Sequence, residues 1–293
     1  MQTRKSCFLF AAAFLLLGTT RLAAEPVRVM TFNIRYGNAP DGDNAWPLRR
    51  DLVAKVIADE KPDVIGVQEA LRSQLDELAE ALPEYDRVGV GREPAGGGEY
   101  SAILYRASRF DVCDAGTFWL SDAPEQPGSK TWGNNLPRIC TWARLLDRTN
   151  ERRFVLLNTH WDHESQPARE QSGKLMANRI GEICIDGEPA IVTGDFNAGP
   201  DNAAIRALVD EGCVKDTFAT IHPDEKRLGT FNGFGKLRNS PKIDAILTTD
   251  HWKVEDAAIV RTHEGKRYPS DHFPVTATVT LSEDDSADSS SAR

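Results

Sequence analysis

Six apolar runs in this sequence stop on, or lead into, residues that can hold a cation or move a proton. VRVMTFN ends on Asn33, VIGVQE on Glu69, FVLLNTH on His160, and AIVTGDFN on Asp195 and Asn197, while KIDAIL carries Asp244 and YPSDHFPV carries Asp271 and His272. A strand end is where a rigid sheet can hold side chains over a shared cleft. Taken singly, each segment has a plainer explanation: an Asn before a turn is a turn former, and the Asp of GDFN or SDH can cap a helix. Turn chemistry does not require Glu, Asp and two His in these contexts together.

The residue types fit one kind of reaction. Asn33, Glu69 and Asp271 offer hard oxygen donors, which suit Mg²⁺, with Mn²⁺ or Ca²⁺ as alternatives, and not a thiolate metal. Such an ion would polarise a phosphoryl oxygen and offset the negative charge of the transition state. Asp195, Asp244, His160 and His272 are then left to transfer protons and to orient one another. No GxSxG segment is present, so a serine hydrolase finds no support.

Periodicity places these residues on a mixed frame. Strands are expected at 27–34, 64–67, 85–89, 101–105, 110–118, 139–146, 154–159, 190–193, 243–248, 252–260 and 275–281, and helices at 49–60, 73–82, 167–185 and 202–211. Consecutive strands with interspersed helices point to an α/β class with two packed sheets, not to one parallel sheet. The GGGE at 96–99 lacks the strand-before, helix-after setting of a phosphate loop and reads as a hairpin loop.

The ordered set FN, QE, NTHWDH, GDFN, KIDAIL and SDHFP resembles the endonuclease/exonuclease/phosphatase superfamily, which includes deoxyribonuclease I-like enzymes, CCR4-type deadenylases and inositol-polyphosphate 5-phosphatases. The resemblance runs from about Val27 to Leu281. It implies a four-layer α/β/β/α sandwich of two mixed sheets flanked by helices, with the cleft at one rim. By position it makes Glu69 the main metal ligand, joined by Asn33 and Asp271 directly or through water. Asp195 would orient or deprotonate the attacking water, and Asn197 would hold phosphate or substrate. His272 would touch the scissile phosphate, braced by Asp244, with His160 as second histidine. Glu99 falls where deoxyribonuclease-like members carry a glutamate that orients a histidine.

Two loops rich in aromatic residues and Asn, 36–50 and 129–138, flank these segments. Trp46, Trp132 and Trp161 are candidates to stack on a base or sugar ring, or else to pack the loops down, and Arg35 and Arg138 to clamp a phosphate. His163 reads as a solvent-facing loop residue, with the cleft rim as the alternative. Neither the long basic insertions of an abasic-site nuclease nor an apolar hairpin for lipid is evident. The leading expectation is therefore a secreted nuclease or phosphodiesterase acting on nucleic acid or nucleotides. A phosphomonoesterase acting on a sugar or inositol phosphate is the alternative, and a non-catalytic binding module on the same fold is the reading from another class.

The ends differ from the middle. Arg4 and Lys5 precede an apolar run at 7–17 and small residues ending at Ala24, the layout of a secretory leader, with an uncleaved N-terminal anchor as the alternative. Residues 282–293, SEDDSADSSSAR, lack the apolar surface to offset chain entropy and read as a disordered acidic tail. The domain expected between them is 25–281, secreted or periplasmic, monomeric, with no stable membrane association once the leader is cut. Net charge is −9; cleavage removes Arg4, Lys5 and Arg21, leaving 32 basic residues against 44 acidic ones and a charge of −12. That balance argues against tight binding of a polyanion. Cys113, Cys140 and Cys184 lie in apolar stretches where buried free thiols are common, although an exported chain permits disulfides among them and Cys213.

Overall fold

The computed structural model describes residues 25–282 apart from Lys226 and Arg238, so the leader expected at 1–24 and most of the acidic tail expected at 282–293 lie outside the described residues. Ser282 itself is tied down: its N–H donates to the His251 carbonyl at 2.9 Å, and its own carbonyl accepts from Arg152 at 3.0 Å.

Two six-stranded sheets stack face to face. The first contains β1 (Val27–Asn33), β2 (Val64–Ala70), β3 (Tyr85–Val88), β4 (Tyr100–Arg106), β11 (Trp252–Ile259) and β12 (Val275–Leu281), in the order β11-β12-β1-β2-β4-β3. The second contains β5 (Phe110–Trp119), β6 (Ile139–Asp147), β7 (Arg152–His160), β8 (Ala190–Asp195), β9 (Val214–Asp216) and β10 (Asp244–Thr249), in the order β5-β6-β7-β8-β10-β9. Each sheet has a single parallel pair at its centre, β1 with β2 and β7 with β8, and its other pairs are antiparallel.

Alternation along the central strands builds three apolar layers. Val29, Val64, Phe154, Leu156, Ile191 and Ile246 face the opposite sheet. Met30, Phe32, Ile65 and Val67 point outward to α1 (Arg50–Glu60) and α2 (Arg72–Ala81). Val155, Leu157 and Val192 point outward to α3 (Gln166–Ile183) and α4 (Ala203–Glu211). The result is the expected four-layer sandwich. α3 starts where Ser165 accepts from the Ala168 N–H, and α4 starts where Asn202 accepts from the Ala204 N–H. Periodicity did not foresee β9 or the five-residue α5 (Thr217–Ile221). VKDTFATI is too short to show a period, and Asp216 ends the strand by capping the helix, accepting from Phe218 and Ala219.

Candidate active site

The topology brings the chemistry to one edge. β1, β2, β7 and β8 end there, and the antiparallel strands β4, β10 and β12 begin there. His160 pairs in register with Asp195, and Asp195 with Asp244, across three neighbouring strands of the second sheet. Asn33 and Glu69 stand at the matching edge of the first sheet, with Asp271 and His272 just ahead of β12.

Glu69 reaches this edge through a break in the alternation. The β2–β4 register shifts between Val67 and Ala70, and Glu69 has φ of +59°, a left-handed conformation costly for a side-chain-bearing residue. The extra residue turns its carboxylate into the site, where it accepts from Asn33 Nδ2 at 2.9 Å and from the Tyr36 N–H at 2.8 Å. Asn33 also donates to Asp195 Oδ2 at 2.9 Å while its Oδ1 accepts from the Arg35 N–H at 3.0 Å. The Asn33 amide therefore turns its NH₂, not its oxygen, toward the carboxylates. In this arrangement it orients the acidic groups and does not itself present a ligand atom.

Asp195 is further held by the Asn197 N–H, which donates to Oδ1 at 3.0 Å. Asn197, with φ of +48°, lines the cleft and donates its Nδ2 to the Trp161 carbonyl. His160 Nε2 lies 3.6 Å and His272 Nε2 3.7 Å from Asp195 Oδ2, and His272 Nδ1 lies 2.9 Å from Asp244 Oδ2. Ser270 ties the two sides of the site by donating its hydroxyl to the Asn33 carbonyl at 2.6 Å.

Burial and charge separate the roles of these groups. Burial, reinforced by Asp244, pushes the Asp195 carboxyl up to about 7. Burial likewise raises Asp271, with Glu69 adding to the shift. Burial also works against the Glu69 anion, but His272, Asn33, the Tyr36 amide and Arg35 outweigh it and hold Glu69 below its ordinary range. The histidines move in opposite directions. His160 is lowered well below the usual value by burial and by Arg138 and Arg92, whereas for His272 the carboxylates of Asp244 and Asp195 overcome burial and raise it well above. Near neutral pH this sets a neutral imidazole beside an imidazolium.

A cleft of about 430 Å³ opens over Glu69, His160, Asp195, Asn197, Asp271 and His272. The donor set lining it fits a hard divalent cation: the Glu69 carboxylate is close enough to raise Asp271, and no thiolate lines the cleft. A second grouping places ligand atoms of Glu69, His160 and Asp195 within 4.8 Å of one another. The oxygen pair Glu69 and Asp271 suits a hard cation better than a set containing imidazole.

Several expected roles for cleft residues change. Trp46 is buried in the helix layer, donating its indole N–H to Glu77 at 3.0 Å, and Trp132 donates to Asp122 at 2.8 Å while packing against the outer core of the second sheet. Neither lines the cleft, and Trp161 is wholly buried edge-on to Phe196, so packing accounts for all three. Arg35 and Arg138 do line the cleft, but both are engaged within the chain. Arg35 grips Asp41 through two 3.0 Å bonds, and Arg138 bonds Asp162 at 3.3 Å and His163 Nδ1 at 2.8 Å. His163 is half exposed and also stands on the cleft wall. Glu99 forms a bidentate pair with Arg92 at 2.7 and 2.9 Å in place of the histidine contact expected for it. Cys113 is exposed, not buried, and all four described cysteines are free thiols.

The strand motifs also concealed a supporting layer. Asn158, read only as the residue two before His160, donates to the carbonyls of Val67 and Ala102 on the opposite sheet at 3.0 and 2.8 Å. Its Oδ1 accepts from Gln68 and Thr193. The signal was available: an Asn on the inward face of a fully buried strand must find partners across the sheets.

The Endonuclease/Exonuclease/phosphatase family model matches residues 30–272, and this chain belongs to that family. An endonuclease/exonuclease/phosphatase family protein of Bacteroides thetaiotaomicron shares 33% identity, with a TM-score of 0.82 over 89% of this chain and 100% of that one. A mannosyl-6-phosphatase of Bacteroides thetaiotaomicron VPI-5482 is also 33% identical, with a TM-score of 0.80 over 87% of this chain and 100% of that one. The CCR4-Not complex 3'-5'-exoribonuclease subunit Ccr4 of Emericella nidulans is 22% identical over 277 residues, covering 72% of this chain and 40% of that protein. The chain is a divalent-metal-dependent hydrolase of phosphoesters, which sets aside the non-catalytic module.

Proposed function

We propose that the protein is a phosphomonoesterase acting on a small sugar phosphate, with Mg²⁺ as its ion. The observation that carries this reading is the charge of the cleft wall. Arg35, Arg92 and Arg138 are its guanidinium groups, and each is already paired with a carboxylate of the chain: Asp41, Glu99 and Asp162. Glu69, Glu99, Asp195 and Asp271 give the wall four acids against those three cations. A polynucleotide needs a continuous basic track, whereas one phosphate needs one cationic spot. The cleft volume lies in the range of small-molecule sites. The likeness to the mannosyl-6-phosphatase supports a hexose as the leaving group.

In this reading a divalent ion held by Glu69 and Asp271 supplies Lewis-acid polarisation of the phosphoryl group. Asp195, fixed on both oxygens by Asn33 and the Asn197 amide, accepts a proton from the attacking water, a task suited to a carboxyl raised toward neutrality. The His272 imidazolium, oriented by Asp244, faces the phosphate as a fixed positive donor. His160, kept neutral, stands on the other side of Asp195.

The test compares kcat/KM for a hexose 6-phosphate, a simple aryl phosphodiester and a single-stranded oligonucleotide. The sugar phosphate is expected to be preferred by at least about two orders of magnitude, well within the about 10⁴- to 10⁵-fold that a hydrogen-bonding site can reach. Preference for the oligonucleotide would instead establish the nuclease reading, which the likeness to the exoribonuclease subunit supports. The proposal includes export, resting on the Arg4-Lys5 and apolar 7–17 pattern. The N-terminus of protein recovered outside the producing cytoplasm is expected to be Glu25, and a chain retained inside cells with residues 1–24 intact contradicts this.

A further inference from the structure

Arg49 is 1% exposed, and its hydrogen bonds all go to backbone carbonyls. Nε donates to Asn44 at 2.9 Å, Nη1 to Ile34 at 2.6 Å and Pro269 at 2.9 Å, and Nη2 to Arg35 at 3.2 Å. Its guanidinium carbon lies 5.1 Å from the Trp46 ring centre and 5.9 Å from that of Phe234. Burying a guanidinium is costly, and an apolar residue of like size is often the more stable choice. Stability alone gives little reason for an arginine here, and the carbonyls it holds give a better one.

Those carbonyls belong to the backbone that aims the metal carboxylates. Ile34 and Arg35 follow Asn33 directly and precede Tyr36, whose N–H holds Glu69. Pro269 precedes Ser270, Asp271 and His272. Phe234 sits in the segment whose Asn232 and Gly233 N–H groups donate to the Asp271 carbonyl at 2.7 and 3.0 Å. One planar fork therefore joins the end of β1 to the entry of β12, beside the Ser270–Asn33 bond that joins the same two segments. Arg49 itself is not part of the cleft wall.

We propose that Arg49 is a positioning residue for the metal site, its guanidinium fixing the spacing between Glu69 and Asp271 by clamping the Ile34–Arg35 and Pro269 backbone. A site of this kind tolerates about 0.5 Å of error in ligand placement. Lysine, with a point charge on a flexible stem, cannot donate along the fork's several in-plane directions.

The experiment measures Mn²⁺ binding calorimetrically to the full chain, to Arg49→Ala and to Arg49→Lys. Val56→Ala, a buried substitution in α1, serves as a stability control. Loss of such supporting contacts lowers metal affinity about ten- to a hundredfold, and that loss is expected for both Arg49 variants while their circular dichroism stays native. Methylguanidinium is expected to restore binding to Arg49→Ala and to leave Arg49→Lys and Val56→Ala unchanged. If Arg49→Ala does not fold, Arg49→Lys carries the same binding test. Unchanged Mn²⁺ affinity in a folded Arg49 variant overturns the proposal, as does an equal loss in Val56→Ala at matched melting temperature.

Discussion

His272 Nδ1 and Asp244 Oδ2 lie 2.9 Å apart, both side chains buried, Asp244 at the start of β10 in the second sheet and His272 in the segment just ahead of β12 of the first. The bond fixes the ring so that Nε2 stands 3.7 Å from Asp195, and the Asp244 charge helps keep the ring protonated. Asp244→Asn is expected to lower kcat/KM by about 10²- to 10⁴-fold. It also removes a cause that raises His272, so the imidazolium is lost at lower pH and the alkaline limb of the pH–rate profile moves down. A profile that keeps its alkaline limb in place contradicts the imidazolium role.

Metal binding should release protons in weak acid. Burial raises the Asp271 carboxyl, and the Asp195 carboxyl to about 7, so protons compete with a cation at this edge of the sheets as the pH falls. An incoming cation must displace them. Mg²⁺ affinity is expected to climb with pH between about 4 and about 7 and then level off. Calorimetry at pH 6 in buffers of different ionisation enthalpy should detect the released protons, and their absence would count against these carboxylates facing the ion.

Gly66 is required by close approach between the sheets. A Cβ there would lie 2.1 Å from Thr193 Oγ1 and 2.5 Å from Asn158 Oδ1. Gly66→Ala is expected to cost about 1–3 kcal/mol, as overpacking does, and to disturb the Asn158 bridge beneath His160. Denaturant unfolding measures the first effect, and a midpoint equal to the parent's contradicts the packing described.

The thiols should separate by reactivity. Cys113 and Cys213 are exposed, while burial pushes the Cys140 thiol far up. A thiol reagent at pH 8 is expected to modify Cys113 and Cys213 quickly and Cys140 only on unfolding. Mass mapping of a short exposure to reagent decides the matter, and early labelling of Cys140 would show that its strand is open.

Much of this site was legible because strand ends are visible in sequence. Apolar runs stopping at Asn33, Glu69, His160 and Asp195, with Asp244 and Asp271-His272 leading into others, mark one edge of two sheets. What lay hidden depends on contacts that no spacing encodes. Simple alternation would point Glu69 at the helices, and only the β2 bulge with its positive φ turns it inward. Tryptophans in polar loops look free to stack on a ligand, yet Trp46 and Trp132 found partners in Glu77 and Asp122. The Arg49-Arg50 pair at the start of α1 resembles a solvated helix face, and only the fold shows that Arg49 turns inward and Arg50 does not.

The most direct measurement is inorganic phosphate release from a hexose 6-phosphate, with Mg²⁺ or with chelator, by the native chain and by Asp195→Asn. Release that needs the ion and falls by about 10²-fold or more in the variant is the predicted result. Release that persists in chelator, or an Asp195→Asn chain as fast as the native one, would contradict metal-dependent hydrolysis centred on Asp195.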